Sequence, residues 1–334
     1  MVASPYVLTA GLDKLELRYS WLVSAHAETI RACEELAMQL SQEDHIDLVF
    51  CTGKPPKKHA GILLRLFGQR ELQASFGARA LAVNGPGFLA GWARDFVEVL
   101  ARDEAVTANV SAADLFCDLQ GLPPLTQEFV DDNFGRSSRR KSFSYLSSGH
   151  FESALFGTSS MFHACVYDKT PVINDVQYQW LVDLWQERCP AFDSSLPVAR
   201  CEFRFRKAEA LARLDFPRRP VEFLQALPET WNRLCRDTLW FLDAKPGRRK
   251  DRKHAAWWDT AVANATFDDR GSSAAASSAV PGVDAKLQFS MALGALANLV
   301  SAKTGLKKAV AKERLGRPLL ELVKQQINAG KAGK

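Results

Sequence analysis

The chain has 334 residues, of which 47% are hydrophobic and 24% charged, as in ordinary soluble globular proteins. This length allows one large domain or two smaller ones, and the composition excludes wholesale disorder and a fibrous protein. No apolar run approaches the ~18–20 residues that a membrane-spanning helix needs, and the N-terminus lacks the features of a secretory signal. Seven cysteines occur singly, without the spacing of a zinc module or a disulfide framework. We therefore expect a soluble, cytoplasmic protein with no membrane partner.

Charge is distributed unevenly along the chain. Residues 245–334 carry 17 Lys and Arg against 7 Asp and Glu, whereas the other 244 residues carry 26 against 31. The basic end begins with the run Lys245-Pro-Gly-Arg-Arg-Lys-Asp-Arg-Lys-His254, and the aromatic pair Trp257-Trp258 follows it closely. This combination favours binding to a polyanion such as nucleic acid, although a solvated tail with no partner has a similar composition.

Hydrophobic periodicity predicts strands and helices in mixed order. Alternating apolar residues such as Leu15, Leu17 and Tyr19 are typical of a half-buried strand, and apolar residues spaced by three or four indicate helices. In chain order, the predicted elements are a strand at 12–22, a helix at 25–41, strands at 46–51, 61–67 and 79–84, a helix at 87–101, strands at 110–119, 151–157 and 161–168, a helix at 174–188, a strand at 199–206 and a helix at 221–242. Because there is no regular βαβα alternation, the predicted fold class is α+β.

The composition changes after residue 245. A Ser/Ala-rich stretch at 271–279 is typical of a flexible linker. Beyond it, residues 284–328 place Leu, Ala, Val and Lys at helical spacing, which predicts a small helical appendage. We therefore divide the chain into a body at 1–245, a basic and Ser/Ala-rich linker at 246–283 and a basic helical tail at 284–334.

Two aspartates lie four residues apart on the strand predicted at 110–119. The even separation places Asp114 and Asp118 on the same face of that strand, opposite Leu115 and Cys117. At ~3.3 Å per residue they are ~13 Å apart, so one divalent ion cannot be held directly by both. One of them is a candidate metal ligand; the alternative is that both are exposed strand carboxylates.

A charged face is predicted on the strand at 199–206. Glu202, Arg204 and Arg206 alternate with apolar residues, so these three side chains project together from one face. A site that handles a metal and a phosphate has this composition. A carboxylate flanked by arginines is also typical of a cross-strand salt bridge, and the residues alone favour that interpretation.

A tyrosine and a lysine lie at the end of the strand predicted at 161–168. Tyr167 is separated from Lys169 by a single residue. A nearby cation favours the phenolate, so Tyr167 is a candidate nucleophile with Lys169 as the group that activates it. The alternative is a tyrosine at the rim of the fold with its hydroxyl in water.

Three blocks of sequence together point to a known family. They are Val110-Ser-Ala-Ala-Asp-Leu-Phe-Cys-Asp118, the run from Phe151 through Tyr167-Asp-Lys-Thr170, and Arg200-Cys-Glu202-Phe-Arg204. In order and spacing they resemble the replication initiation factor family, which includes rolling-circle initiators of plasmids and filamentous phages. The likeness spans roughly residues 10–245 and includes the early strand at Gly11-Leu-Asp13.

The resemblance implies a compact fold around an antiparallel sheet and a tyrosine that nicks one DNA strand with the help of Mg²⁺ or Mn²⁺. In that chemistry the ion polarises the scissile phosphate, the tyrosine keeps a 5′-phosphotyrosyl link, and the freed 3′-hydroxyl primes synthesis. Placed on this chain, Glu202 and either Asp114 or Asp118 would hold the metal. Tyr167 would be the nucleophile, with Tyr145 and Tyr178 as the other candidates.

The sequence therefore predicts a site-specific DNA endonuclease that starts rolling-circle replication of a mobile element. The alternative is a non-catalytic DNA-binding relative that acts as a regulator, which Val172 and Ala113 favour because they depart from the family pattern. The predicted partner is origin DNA, single-stranded or supercoiled, with a host helicase and a second copy of the chain as further candidates. The basic residues predicted to contact DNA are Arg139, Arg140, Lys141, Arg204, Arg206, Arg248, Arg249, Lys250, Arg252 and Lys253.

Overall fold

The structure is a computed structural model. It describes residues 5–22, 24–25, 27, 30–31, 34, 48–52, 61–101, 105–145, 148–158, 160–243 and 252–267. The described residues group into two compact units. Of these residues, the first unit contains those up to Asp13 and those from Ser111 to Asp268, and the second contains those within Lys14–Val110. None of the described helices combines the length and apolar character needed to cross a membrane.

Strands and helices are mixed along the chain, and the strands pair mostly antiparallel, which makes the fold class α+β and confirms the prediction. The strands are β1 (Tyr6–Ser20), β2 (Leu48–Cys51), β3 (Ile62–Phe67), β4 (Glu71–Gly77), β5 (Thr107–Gln120), β6 (Phe134–Arg136), β7 (Lys141–Tyr145), β8 (Phe151–Thr158), β9 (Phe162–Asp168), β10 (Val198–Phe205) and β11 (Leu239–Phe241). The helices are α1 (Ala78–Asn84), α2 (Pro86–Ala101), α3 (Gln127–Asn133), α4 (Gln179–Arg188), α5 (Ala208–Arg213) and α6 (Pro220–Asp237).

In the first unit the strand order is β1-β5-β10-β9-β8-β7. The pairs β5/β10, β10/β9, β9/β8 and β8/β7 are all antiparallel. Strands β6 and β11 form a separate antiparallel pair. The periodicity did not predict β6, β7 or β11, because these strands have only three to five residues and form where tertiary pairing supplies a partner.

The apolar face of β10 forms part of the core of the first unit. Phe203 packs edge-on against Trp231 of α6 with ring centroids 5.1 Å apart, and Phe205 packs against Phe216 at 5.2 Å. All four rings are buried. Because side chains alternate along a strand, this packing turns Arg200, Glu202 and Arg204 to the opposite face, which confirms the direction predicted for Glu202 and Arg204.

In the second unit the strand order is β2-β3-β4-β1, with helices α1 and α2 following β4 in the chain. The β2/β3 pair is parallel, whereas β3/β4 and β4/β1 are antiparallel. The strand predicted at 79–84 is wrong, because these residues form α1 between Gly77 and Gly85. Alanine, which recurs in this segment, is the strongest helix former, and the strand of this region is β4 instead.

Two predicted helices have different bounds in the structure. The helix predicted at 174–188 begins at Gln179, after 3₁₀ turns at Thr170–Asn174 and Val176–Tyr178. The helix predicted at 221–242 ends at Asp237, and strand β11 follows it. Most of the helix predicted at 25–41 lies outside the described residues.

A half-buried carboxyl on α2, that of Asp95, predicts how the stability of the protein depends on pH. Burial, and then the neighbouring charge of Glu98, raise the pKa of Asp95 to about 6, while Arg94 opposes the change. Because the folded state holds this proton more tightly than the unfolded chain, the contribution of Asp95 to stability is most favourable below about pH 4 and declines as the pH rises through 6. We expect Asp95→Asn to raise the free energy of unfolding at pH 7 by roughly 1–2 kcal/mol. In urea unfolding experiments the gain should disappear at pH 4, and an equal gain at both pH values would contradict the expectation.

Candidate active site

Three rows of side chains cross β5, β10 and β9 on the face opposite Phe203 and Phe205. The antiparallel register places each residue of β10 opposite one residue of β5 and one of β9. From β5 through β10 to β9, the rows are Asp118–Arg200–Tyr167, Phe116–Glu202–Cys165 and Asp114–Arg204–His163. These nine residues, which we call the polar face, include the tyrosine and the three carboxylates that the sequence singles out.

Arg200 is the centre of a buried ion-pair cluster in the first row. Its Nε and Nη2 donate to the two carboxylate oxygens of Asp118 at 2.6 and 2.8 Å, and its Nη1 donates to Asp13. The indole N–H of Trp185 also donates to Asp118, at 2.8 Å, and the guanidinium carbon lies 3.9 Å from the centre of the Phe116 ring. Both Arg200 and Asp118 are buried. Asp118 therefore fastens β5 to β10 with both carboxylate oxygens engaged.

Glu202 connects Tyr167 to Arg204 between the rows. Arg204 donates from Nε to Glu202 Oε1 at 2.8 Å and from Nη2 to Oε2 at 2.9 Å. The Tyr167 hydroxyl donates to the same Oε2 at 2.8 Å. Glu202 is fully buried, whereas a quarter of the Arg204 side chain is exposed. An oxygen nucleophile beside a carboxylate that a third group orients is the arrangement of an activated nucleophile.

The pKa of Tyr167 decides whether the hydroxyl can attack as a phenolate or needs a base. Burial raises the pKa of Tyr167 well above its ordinary value, and Glu202 and Asp13 add to this increase against the opposing charge of Arg200. The Lys169 Nζ lies 5.6 Å from the centre of the Tyr167 ring, and the pKa of Lys169 is itself lowered by burial and by Arg200. These shifts favour the neutral phenol, so they do not support Lys169 as the group that activates Tyr167, and that role stays a prediction. A neutral phenol needs a base, and Glu202 is within reach.

The third row carries the accessible positive charge. Arg206, just after β10, donates to Asp114 at 3.3 Å, and about a third of its side chain is exposed. Burial, followed by the charges of Arg204 and Arg206, lowers the pKa of His163 to about 4. Its Nδ1 is buried without a hydrogen-bond partner in the described part of the chain. His163 is thus neutral at physiological pH, and the two arginines make this end of the polar face suitable for an anion.

Two of the three carboxylates assigned to the metal are already paired with arginines. Arginine N–H groups occupy both oxygens of Asp118 and of Glu202, whereas Mg²⁺ and Mn²⁺ require oxygens that are free to coordinate. Among the described residues, no group of three or more His, Cys, Asp or Glu side chains is placed to hold an ion. The metal that the resemblance implies stays a prediction, and this geometry does not support its assignment to Asp114, Asp118 and Glu202.

Three of the basic residues predicted to contact DNA lie just before or at the start of β7. Arg139 and Arg140 are exposed, and the Arg140 Nη1 donates to the hydroxyl of Thr158 at 3.3 Å. Lys141 is tied to Asp131, with its Nζ 2.7 and 2.8 Å from the two carboxylate oxygens. Arg139 and Arg140 are therefore better placed than Lys141 to meet a phosphate.

The basic run after residue 245 is described only in part. Arg252 has a structural role, because its Nε donates to the Asp243 carbonyl at 2.7 Å and its Nη1 to the Asp132 carbonyl at 3.0 Å. Lys253 is exposed. Arg248, Arg249 and Lys250, the segment 271–279 and the tail at 284–334 lie outside the described residues.

The aromatic pair that favoured nucleic-acid binding belongs largely to the core. Trp258 is fully buried, and its indole N–H donates to the Cys235 carbonyl at 2.9 Å. Trp257 packs against Phe241 with ring centroids 4.9 Å apart. The pair stabilises the end of the first unit. Its presence beside the basic run is therefore weak support for nucleic-acid binding.

The two alternative tyrosines have different surroundings. Tyr145 is 48% exposed, its hydroxyl donates to the Gln127 side chain, and its ring packs edge-on against Phe151. Tyr178 is 39% exposed, and its ring centre lies 5.6 Å from the Lys169 Nζ. Within the described part of the chain, neither hydroxyl is hydrogen-bonded to a carboxylate. Only Tyr167 of these three has a base in place.

Sequence reasoning missed several members of the polar face. Arg200 and its partner Asp13 appeared only as parts of the family blocks, and the sequence did not single out His163. Arg200 occupies the same alternation as Glu202 and Arg204, so the period of two was a usable indication of its direction. Nothing in the sequence indicated that Trp185 would donate to Asp118, since 67 residues separate the two.

Comparisons with known proteins leave the family open. No family model matches the chain, and no curated protein matches it. The likeness to the replication initiation factor family therefore stays a prediction based on the three sequence blocks.

Proposed function

We propose that this protein is a replication initiator of a mobile element, acting in the cytoplasm, which nicks one strand of origin DNA with Tyr167 as the nucleophile. The observation that supports this most is the 2.8 Å hydrogen bond from the Tyr167 hydroxyl to Glu202, whose carboxylate Arg204 holds in a fixed orientation. A nucleophile, a base and a group that orients the base are thus present together.

The step uses the groups of the polar face as follows. The Tyr167 oxygen attacks phosphorus while its proton passes to Glu202 Oε2, and the bond from phosphorus to the 3′ oxygen breaks. The proton returns to the departing 3′ oxygen, which leaves a free 3′-hydroxyl and a 5′-phosphotyrosyl bond. One phosphodiester is exchanged for another, so no oxidant or energy source is consumed. Glu202 is the acceptor in this proposal because the Tyr167 hydroxyl already donates to its Oε2 at 2.8 Å.

Positive charge near the tyrosine would stabilise the phosphorane-like transition state. The Arg204 guanidinium carbon lies 5.7 Å from the centre of the Tyr167 ring, and only its Nε and Nη2 are used on Glu202. Its Nη1 and the partly exposed Arg206 are therefore available to a phosphate, and arginine matches phosphate oxygens in a forked geometry. In this proposal both residues contact the scissile strand.

A covalent-adduct assay tests this function. The full chain is incubated with a random-sequence pool of single-stranded DNA, labelled at either the 3′ or the 5′ end, in Mn²⁺, Mg²⁺ or EDTA. We expect a denaturant-resistant protein–DNA band with the 3′ label only, because the 5′ phosphate of the downstream fragment stays on the tyrosine. Cleavage of the protein after Glu152 separates Tyr145 from Tyr167, and cleavage after Lys169 separates Tyr167 from Tyr178, so that mass spectrometry of the doubly digested protein can place the adduct.

The outcomes of this assay are separable. An adduct on the peptide with Tyr167 supports the proposal, and its presence or absence in EDTA decides whether a divalent ion takes part. An adduct that carries the 5′ label, one that maps to Tyr145 or Tyr178, or no adduct in any buffer would overturn it.

A second function is favoured by the arginine pairing of the carboxylates. Both oxygens of Glu202 are engaged by Arg204, as a structural ion pair would be, and the metal that the family uses has no described site. The chain would then be a DNA-binding regulator that has kept the fold and its arginines without the chemistry. Gel-shift binding to the same pool without any adduct is the result that this alternative predicts.

A further inference from the structure

Tyr178 is an exposed aromatic ring near Lys169, which also contacts Tyr167. Tyr178 ends the second 3₁₀ turn, directly before α4, and is 39% exposed. The neighbouring Val176 is 88% exposed. Within the described residues the Tyr178 hydroxyl makes no hydrogen bond, whereas the comparably exposed Tyr145 is tied to Gln127. Tyr178 therefore presents a partly exposed aromatic surface in the described part of the chain.

Lys169 contacts both this ring and the ring of the proposed nucleophile, Tyr167. Its Nζ lies 5.6 Å from the ring centre of Tyr167 and 5.6 Å from that of Tyr178, so one ammonium group contacts both aromatic systems. The Lys169 ammonium also senses the charge of Arg200, which is buried and paired with Asp118 and Asp13. A cation that touches an exposed ring complements a nucleotide, which offers an aromatic base next to a negative phosphate.

The segment that carries Tyr178 is held in place before any ligand binds. Lys169 N donates to the Val198 carbonyl at 2.8 Å, and the Thr170 hydroxyl accepts from Val198 N at 3.0 Å. Asp175 accepts from Gln177 N through its side chain at 2.9 Å and from Tyr178 N through its carbonyl at 2.9 Å. A ring on such a support loses little conformational entropy when a base stacks on it.

We infer that Tyr178 is a stacking platform for an unpaired base, which makes single-stranded nucleic acid the ligand of this site. The inference rests on the proposed function for the identity of the strand that reaches Tyr167. A base inside a duplex has both faces covered by its neighbours, so it cannot stack on a protein ring unless it leaves the helix. Tyr178 therefore selects strands that are unpaired next to the scissile phosphate, and it is a binding residue rather than an alternative nucleophile.

Binding measurements with matched variants test this inference. Fluorescence anisotropy is recorded with labelled oligothymidylate, with the same strand in a duplex and with oligouridylate, which distinguishes DNA from RNA. All proteins carry Tyr167→Phe, so that no covalent bond can form. We expect Tyr178→Ala to weaken oligothymidylate binding about 5- to 150-fold, the range that corresponds to loss of one base–aromatic stack. Tyr178→Phe keeps the ring and should bind within about twofold of the parent, as should Tyr145→Ala, since neither change removes the stacking surface.

Two further readouts separate stacking from loss of charge or of folding. Stacking contributes no phosphate contact, so Tyr178→Ala should leave the slope of log affinity against log salt unchanged. Ultraviolet crosslinking of the unmodified chain to a strand with 5-iodouracil should attach the base to Tyr178, in a tryptic peptide that begins at Thr170. This crosslink needs no variant and remains informative if Tyr178→Ala disturbs folding.

The inference fails if Tyr178→Ala binds like its parent, if Tyr178→Phe loses as much as Tyr178→Ala, or if duplex binding falls in parallel with single-strand binding. These results are independent of nicking. An adduct on Tyr167 together with a silent Tyr178→Ala would overturn the stacking platform alone, and stacking without any adduct would overturn the nicking proposal alone. Absence of single-strand binding would overturn both.

Discussion

Arg200→Met is expected to lower the free energy of unfolding by about 3–5 kcal/mol, because it removes one partner of a buried ion pair and leaves the other charge uncompensated. Arg200 makes three hydrogen bonds, two to Asp118 and one to Asp13, and covers the Phe116 ring. Methionine retains the length and apolar contact of the stem but none of the donors. The change is measured by urea unfolding followed by tryptophan fluorescence, for which Trp185 beside Asp118 is a local reporter.

The control for this prediction is an exposed pair in the same unit. Arg219 lies 3.3 Å from Glu222, and its side chain is 78% exposed. Arg219→Met should therefore cost no more than about 1 kcal/mol. Adding Asp118→Leu to Arg200→Met should recover part of the loss, since replacing a whole buried pair is less harmful than breaking it. A loss at Arg200 no larger than that at Arg219 would contradict the importance of the buried cluster.

The directions of the site side chains could be predicted from sequence, whereas their partners could not. The strict alternation around Glu202 predicts which residues of β10 face the core, and the structure confirms it. Which donor each carboxylate meets depends on strand order. Asp118 meets Arg200 across 82 residues of chain because β5 lies next to β10, and nothing local in either strand encodes that neighbour. The metal-ligand prediction for Asp118 and Glu202 treated them as available carboxylates, although arginines already neutralise them.

Short helices and strands are the other features that the sequence pattern does not predict. Segment 79–84 contains the apolar residues of a strand, but its alanines and the flanking Gly77 and Gly85 favour a helix of seven residues. Strand β11 forms where β6 offers a pairing edge. The hydrophobic pattern alone does not show this edge, so it predicts that the preceding helix continues through β11. Local helix propensity decided the first case, and tertiary pairing decided the second.

Tyr167→Phe is expected to abolish the covalent DNA adduct while the protein remains folded. The substitution removes a single oxygen, and Glu202 keeps both hydrogen bonds from Arg204, so the loss of stability should be about 1–2 kcal/mol, the size of one hydrogen bond to a charged group. Without the oxygen no phosphotyrosyl bond can form, and adduct yield should fall to the background of the assay.

Tyr145→Phe and Tyr178→Phe are the matched controls, because each also removes one tyrosine hydroxyl and neither hydroxyl is bonded to a described carboxylate. Both variants should form the adduct at a rate near that of the unmodified chain, and Tyr178→Phe should also keep its stacking ring. Binding of the single strand should survive in Tyr167→Phe, since Arg204 and Arg206 still face the phosphate, so a loss confined to the adduct assigns the hydroxyl to chemistry rather than to binding. If Tyr167→Phe still forms the adduct while one of the two controls does not, the nucleophile is the other tyrosine, and the hydrogen bond between Tyr167 and Glu202 is a structural contact of the polar face.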